Sequence, residues 1–341
     1  MNAKPMTANA VVFTAPNVVE YQAVTCPDPG PGDVVVRTTH SWISNGTEGS
    51  FLRGERIAGD TPYYPGDPWP FPIVAGYQKI GIVEWVGAEI SDIAVGETVF
   101  AALGKVEGLF SPWAGQVSHS VSPRAQIWKL PPGVTPLACA GLVLTQVGYN
   151  CGMRAPLVAE AEAAETNAVV IGDGMVGHWA AQTLAWRGAD VLLVGRHADR
   201  LQKFPAAPRC STVNMRDEDW LAVARERYST GVQIAVDTVG STAVVDQLMG
   251  IMRRYGHIVS AGFYGTADQI ALQPLRNREL SLDMVAGWSK ERMDATLALI
   301  ASGDLQTLPL ITHHFPVQQA ADAWRLIQRK DEGVLGVILE W

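Results

Sequence analysis

Val169-Val170-Ile171-Gly172-Asp173-Gly174-Met175-Val176-Gly177 is the stretch that decides the fold. The apolar run from Ala168 to Ile171 reads as a buried strand entering a G-x-G-x-x-G turn, and His178 to Arg187 reads as the helix that leaves it. Each glycine has its own task in such a turn. Gly172 permits the tight bend, Gly174 lets the main chain approach a pyrophosphate, and Gly177 lets the helix pack closely on the strand. Met175, Val176 and Gly177 lead into the helix, whose free N–H groups favour phosphate. A bare glycine turn without a ligand is the competing reading, and the segments downstream argue against it.

The second strand is Asp190-Val191-Leu192-Leu193-Val194. A dinucleotide fold that takes NAD ends this strand with Asp or Glu, about 20 residues beyond the glycines, to hold the ribose 2′-hydroxyl. Gly195 stands there instead, followed by Arg196 and, one helical turn on, Arg200. A missing carboxylate removes repulsion, and a guanidinium can grip a 2′-phosphate bidentately and stack on adenine. The sequence therefore predicts NADP(H) in preference to NAD(H), against the alternative that Arg196 is a solvated surface charge. Two further apolar strands follow, within Val232 to Gly240 and Gly256 to Phe263, separated by a helix as a doubly wound parallel sheet requires. The loops at Val239 and at Gly262 and Phe263 fall at the C-terminal edge of that sheet, where the nicotinamide end of a cofactor lies.

The 341 residues suffice for two domains and a sizeable core. A formal net charge of −8 without a basic stripe argues against a nucleic-acid partner. No apolar run approaches the ~18 residues of a membrane span, and Met1-Asn2-Ala3-Lys4-Pro5 lacks a secretory h-region, so a cytoplasmic protein without membrane contact is expected. Cys26, Cys139, Cys151 and Cys210 are scattered and suggest neither a disulfide framework nor a metal lobe. Pro156 to Thr166, rich in Ala and Glu, is expected as a surface loop or short helix.

Residues 9 to 130 follow a different pattern. Short alternating runs at Ala10 to Phe13, Asp33 to Thr38, Ile80 to Val86, Glu97 to Ala101 and Gly115 to Val121 are parted by Pro and Gly, as in an antiparallel, partly open barrel. Beyond the cofactor segment, Glu279 to Ala286 reads as a strand, Lys290 to Ser302 and Val317 to Arg329 as helices, and Gly336 to Trp341 as a closing strand. That tail is too short to fold alone and is expected to return to the first domain.

This arrangement resembles the medium-chain dehydrogenase/reductase superfamily. Pro70-Phe71-Pro72-Ile73-Val74-Ala75-Gly76-Tyr77-Gln78, continued by Gly81-Ile82-Val83-Glu84-Trp85-Val86-Gly87, is similar to that family's FP-x-x-x-G-H-E and G-x-V-x-x-V-G signature. Ile93 to Val99 resembles its GD-x-V strand, and Val236-Asp237-Thr238-Val239-Gly240 its VD-x-x-G strand. The resemblance implies an α/β chain in two parts. A GroES-like, partly open β-barrel catalytic domain spans 1–146 and is completed by 286–341. A Rossmann dinucleotide-binding domain with a doubly wound parallel sheet spans 147–285. Within the superfamily, His40-Ser41-Trp42-Ile43-Ser44-Asn45-Gly46-Thr47-Glu48, Gly76-Tyr77-Gln78, Ala261-Gly262-Phe263-Tyr264 and the terminal Ile338-Leu339-Glu340-Trp341 resemble the bacteriochlorophyllide hydroxyethyl dehydrogenase group. Gly195-Arg196 and Trp42 depart from it, which leaves a relative acting on a different alcohol open.

In zinc members of the superfamily the catalytic metal is held by a Cys, the His of G-H-E, and a Cys or acidic residue before the cofactor domain. Those positions fall here on Ser44, Tyr77 and near Val143. They do not make a zinc site, which takes thiolate, imidazole or carboxylate, and the structural four-cysteine lobe has no counterpart between Leu103 and Trp113. No zinc is expected. A hydrogen-bond donor and a general base must then act at the alcohol. Tyr77 could donate to the carbonyl oxygen or, with a lowered pKa, take the alcohol proton. Ser44 and Thr47 could relay that proton, and Glu48 or His40 could pass it towards solvent. Each has a structural alternative: Tyr77 as filler, Ser44 as a turn cap, Glu48 in an ion pair with Arg53, His40 as an ordinary strand histidine. The resemblance implies that Thr145 faces the nicotinamide, whereas His313 and His314 read as residues of the tail strand. Trp42, Trp69, Trp113 and Trp288, with Tyr63 and Tyr64, are candidates for walls around a bulky ring-bearing or sugar-like substrate. Trp179, Trp186 and Trp324 read as packing residues, and Gly54 to Pro70 as an ordered loop over the site.

Three classes of function follow. The leading one is a zinc-independent, NADP(H)-dependent alcohol dehydrogenase or ketone reductase, with an NAD-dependent hydroxyethyl-bacteriochlorophyllide dehydrogenase as its variant. A zinc-less enoyl or quinone reductase would deliver hydride to a conjugated C=C and need no base at an alcohol. A non-catalytic nucleotide-binding protein would keep the fold without turnover, and the intact glycines argue against it. The expected partners are a small-molecule alcohol or ketone and a second copy of the chain, since the superfamily often pairs through an edge strand.

Overall fold

Sequence that alternates apolar and polar residues folds as antiparallel strands sharing one buried side. Strand β1 (Met6–Ala15) pairs with β2 (Val18–Cys26) across a turn in which Asn17 adopts a left-handed φ of 61°. Strand β3 (Asp33–Trp42) runs into a short helix α1 (Thr47–Leu52), and β4 (Ile73–Val74), β5 (Lys79–Val86), β6 (Thr98–Ala101), β7 (His119–Pro123) and β8 (Ile127–Lys129) follow. The structure is a computed structural model and describes residues 6–55, 71–156, 166–265, 267–330 and 333–341. Tyr63, Tyr64, Trp69, most of the expected loop from Gly54 to Pro70 and most of Pro156 to Thr166 lie outside the described residues.

Helix α2 (Leu142–Arg154) leads to a strict alternation of strand and helix. The order is β9 (Asn167–Ile171), α3 (Met175–Trp186), β10 (Asp190–Gly195), α4 (Ala198–Leu201), β11 (Cys210–Asn214), α5 (Trp220–Arg227), β12 (Val232–Asp237), α6 (Thr242–Ile251), β13 (Met252–Ser260), α7 (Leu272–Asn277) and β14 (Ser281–Met284). The strands pair in parallel in the order β11-β10-β9-β12-β13-β14. Every residue of β9 and β12 is buried, as a sheet covered on both faces demands. Sequence order reverses between β9 and β12, the topological switch point at which such sheets take ligands.

Helix α8 (Lys290–Ser302) begins at Ser289, whose hydroxyl accepts from the Arg292 N–H, and ends on Gly303 at φ 84°. The chain then forms β15 (Ile311–Pro316), α9 (Ala320–Arg329) and β16 (Gly336–Glu340). Strand β16 lies between β15 and β3, in a sheet ordered β15-β16-β3-β5-β6-β8, with β7 also paired to β3. The molecule accordingly comprises two compact units, Met1–Val143 with Ile311–Trp341, and Leu144–Leu310; α8 belongs to the second. No helix among the described residues is long and apolar enough to cross a membrane.

Some elements differ from their sequence reading. Helix α3 starts at Met175 rather than His178, because the residues of the glycine turn themselves form its first turn. The expected strand from Gly115 joins its ladder only at His119; the N–H groups of Gly115 and Gln116 bond instead to the carbonyls of Gly76 and Ala75. Trp179 and Trp324 are buried as expected, whereas Trp186 is 48% exposed. Trp324 meets the Phe13 ring edge-on at 5.3 Å and so fastens the returning tail to the first strand. Trp324→Ala should destabilise the first unit by about 3–5 kcal/mol. Urea unfolding followed by circular dichroism would show a lower midpoint, and an unchanged midpoint would mean that the tail does not hold this unit together.

Candidate functional site

In the second unit the glycine turn is fixed by close main-chain approaches. Gly172 has φ 117°, and a Cβ there would lie 2.3 Å from the Thr238 hydroxyl oxygen. A Cβ at Gly177 would lie 1.9 Å from the Gly172 carbonyl oxygen, whereas one at Gly174 would meet nothing within 4 Å. Gly174 is also the N-cap of α3 and brings no side chain to its first N–H groups. Unfilled space before uncapped donors fits the pyrophosphate of a dinucleotide. Met175 is buried and Val176 half-buried behind this cradle.

The end of β10 holds a group that the sequence reading missed. The Asp173 carboxylate accepts from the main-chain N–H of Arg196 at 2.6 Å and of His197 at 2.7 Å, and it meets the His197 ring at 3.0 Å. Arg200 turns its guanidinium to the same carboxylate at 3.7 Å. Burial pushes the Asp173 carboxyl up, but these donors outweigh it and hold the group below the usual carboxylate range. Gly195 is what makes room, since a Cβ there would lie 2.4 Å from Asp173 Oδ2. Arg196 itself is exposed. The available signal was a carboxylate inside the G-x-G turn coupled to a glycine at the strand end.

At the C-terminal edge of the sheet, Asp237 is fully buried and accepts from the Val239 N–H at 2.8 Å, the Gly240 N–H at 3.1 Å and the Tyr264 hydroxyl at 2.5 Å. A Cβ at Gly262 would come within 2.0 Å of the Gly240 nitrogen, so the two loops interlock through their backbones. They leave Val239 and Phe263 exposed by 43% and 41%. Thr145 is fully buried on α2, beside Gln146, whose side chain donates to the Gly287 carbonyl at 2.8 Å. Asp237 and Tyr264 were not anticipated as fasteners of these loops.

In the first unit, Ser44, Thr47, Glu48 and Tyr77 come together where β3 turns into α1. The Tyr77 hydroxyl donates to Ser44 Oγ at 2.5 Å, and Thr47 hydrogen-bonds to it as well. Glu48, fully buried in the first turn of α1, reaches back to accept from the Ser44 N–H at 2.8 Å, and it also accepts from Gln116 at 3.3 Å. Ser41 donates to Gln116 at 2.5 Å, and the Trp341 indole donates to Ser41 at 2.8 Å. The Tyr77 ring meets Trp113 edge-on at 5.5 Å, and Trp113 in turn packs on Phe51 at 5.5 Å.

Burial decides the protonation here. It pushes Tyr77 up to about 12 and Glu48 up to about 8, the latter against the hydrogen bonds from Ser44 and Gln116. Tyr77 is thus a donor, not the low-pKa base that the sequence allowed. Arg53 pairs with Glu55 at 2.8 Å, so the expected alternative of a Glu48–Arg53 ion pair does not form. His40 stands apart on β3, opposite Glu340 in the register, with burial lowering its pKa. Trp42 is fully buried against Gly141, within the core and not along an open wall. Val143, at the third position of the zinc pattern, is buried and has no ligating atom. A serine, a tyrosine and a valine do not fit zinc.

Residues 175–302 match the zinc-binding dehydrogenase family. Over 98% of its length the chain is 28% identical to the 2-desacetyl-2-hydroxyethyl bacteriochlorophyllide A dehydrogenase of Rhodobacter capsulatus, 99% of which is covered. An alcohol dehydrogenase of E. coli CFT073 complexed with NADH has the same fold at a TM-score of 0.82 and 19% identity, covering 98% of this chain and 99% of that one. A Sinorhizobium meliloti 1021 protein, assigned to the zinc-binding dehydrogenases and bound to NADP, matches at 0.81 and 20%, covering 98% and 100%.

The Glu48 carboxyl provides a pH test. Its pKa is raised from 4.5 to about 8 on folding, so the native state keeps a proton that the unfolded chain gives up between those values. This group's contribution is therefore complete below about pH 4.5 and declines as pH rises through 8. Glu48→Gln should flatten the fall in unfolding free energy over that window. Parallel pH profiles for the two proteins would refute the assignment.

Proposed function

We propose that the chain is an oxidoreductase of the medium-chain dehydrogenase/reductase type, a reading supported by its likeness to dehydrogenases of that kind, and that it moves hydride between a nicotinamide cofactor and a secondary alcohol or ketone with no zinc at the reacting oxygen. The observation that carries this reading is the Tyr77–Ser44 pair, which stands at two of the three metal-ligand positions and contains no metal-binding donor set. When bound, the nicotinamide gives or takes the hydride. The residues of the chain must manage the oxygen and its charge.

Tyr77, kept protonated by burial, turns its one O–H from Ser44 to the oxygen on which negative charge develops during ketone reduction, and the Ser44 hydroxyl then donates to the phenol oxygen. Ser44 fixes the phenol, and Glu48 fixes Ser44 through its main-chain N–H, which makes Glu48 a positioning residue. Trp113 beside the Tyr77 ring, itself packed on Phe51, gives this corner an apolar, aromatic character that favours a bulky ring-bearing substrate over a sugar. Arg196 is the exposed cation at the adenosine end, but Arg200 is already turned to Asp173, so the sequence-based preference for NADP(H) loses part of its support. Among the described residues β14 is the last strand of its sheet, with Met284 57% exposed, which suits pairing with a second copy.

Tyr77→Phe is the direct test. It should lower kcat for ketone reduction by about 10²- to 10³-fold, the usual cost of one oxyanion donor, and leave nicotinamide binding unchanged. A variant as fast as the wild type in ketone reduction would show that Tyr77 is not the donor to the reacting oxygen.

A further inference from the structure

We propose that Asp173 is the residue that selects the cofactor, and that it selects NAD(H) against NADP(H) by filling, with its own carboxylate, the anion-binding niche at the end of β10. The proposal rests on the nicotinamide-dependent reading above and reverses the preference expected from Gly195 and Arg196.

Two successive main-chain N–H groups, of Arg196 and His197, converge on one carboxylate oxygen at 2.6 and 2.7 Å. Consecutive N–H groups converging in this way form an anion nest. With a guanidinium nearby, here that of Arg200, such a nest is what a ribose 2′-phosphate requires. Here the chain supplies the anion itself. A 2′-phosphate, carrying about −1.5 to −2 charges, would have to expel the carboxylate or lie beside it. Neither is compatible with tight binding.

The diol of an unphosphorylated ribose meets the opposite situation, because a hydroxyl donates. Among the described residues, Asp173 Oδ1 faces the His197 ring at 3.1 Å and the Arg200 guanidinium at 3.7 Å, which leaves it acceptor capacity. The acid that a NAD-binding fold carries at the end of its second strand is thus present but comes from the glycine turn. The two positions are sterically complementary. A Cβ at 195 would fall 2.4 Å from Asp173 Oδ2 and 2.5 Å from its Cβ, so an acid in the turn and a side chain at the strand end exclude one another. Arg200, with its side chain only 15% exposed, is turned to that carboxylate at 3.7 Å.

The test is a fluorescence titration of the full-length protein with NADH and with NADPH, repeated with ADP and 2′,5′-ADP as competitors that report on the adenosine end alone. Wild type should bind NADH at least about tenfold more tightly than NADPH, the low end of what close charge pairs are worth, and ADP should compete better than 2′,5′-ADP. Asp173→Ser, which empties the niche, should shift the NADPH-to-NADH affinity ratio towards NADPH by about tenfold or more. Should that variant not fold, Asp173→Asn removes the charge while keeping an acceptor for the main-chain bonds and should shift the ratio in the same direction. Tighter binding of NADPH by wild type, or an unchanged ratio in a folded variant, would overturn the proposal and leave the nicotinamide reading standing. Binding of neither dinucleotide would overturn both.

Discussion

The carbonyl of Gly172 lies so near Gly177 that a single methyl group at 177 could not be accommodated, and most of the nucleotide unit depends on that contact. It seats α3 directly on the end of β9 and brings the uncapped helix N-terminus to the switch point of the sheet. It also sets the direction of Asp173, whose carboxylate then ties the turn to the end of β10. On the other side, Asp237 ties the loops after β12 and β13 together, with Gly240 and Gly262 in backbone contact. Two buried or nearly buried carboxylates thus define the two ends of the cradle. Each does so by accepting main-chain N–H groups, for which no side chain could substitute without losing the close approach.

The first unit uses a third carboxylate differently. Glu48 is taken wholly out of water, and burial outweighs its hydrogen bonds from Ser44 and Gln116. What it provides is order at the bend where β3 meets α1. From Trp341 a continuous line of hydrogen bonds runs through Ser41 and Gln116 to Glu48, and from there through the Ser44 backbone to the residue that holds Tyr77. The last residue of the chain is thereby coupled to the phenol. The tail does more than complete the barrel: it braces the bend on which the proposed chemistry depends.

Much of this was legible in the sequence because it is periodic. Lys290–Ser302 forms the helix that its spacing suggests, and the apolar runs at 168–171 and 190–194 form neighbouring parallel strands. Periodicity fails where a main-chain partner is remote in sequence. Gly115 and Gln116 alternate like a strand but bond to Ala75 and Gly76, and a Cβ at Gly115 would lie 2.2 Å from the Tyr77 nitrogen. It fails again for charges, because a linear reading of Gly195 counts a missing acid and does not count the one that crosses from Asp173. The Tyr77–Ser44 pairing was anticipated from the family pattern, but the direction of the tyrosine's pKa was not, since burial is a property of the packed core and not of the motif.

The central claim is that a phenol, and not a metal, holds the reacting oxygen. It is tested most directly by measuring secondary-alcohol oxidation before and after exhaustive chelation, with zinc counted per chain by mass spectrometry at each stage. The account requires an undiminished rate in protein stripped far below one zinc per chain, and no gain when zinc is returned. A rate that vanishes on stripping and recovers in proportion to added zinc would contradict it.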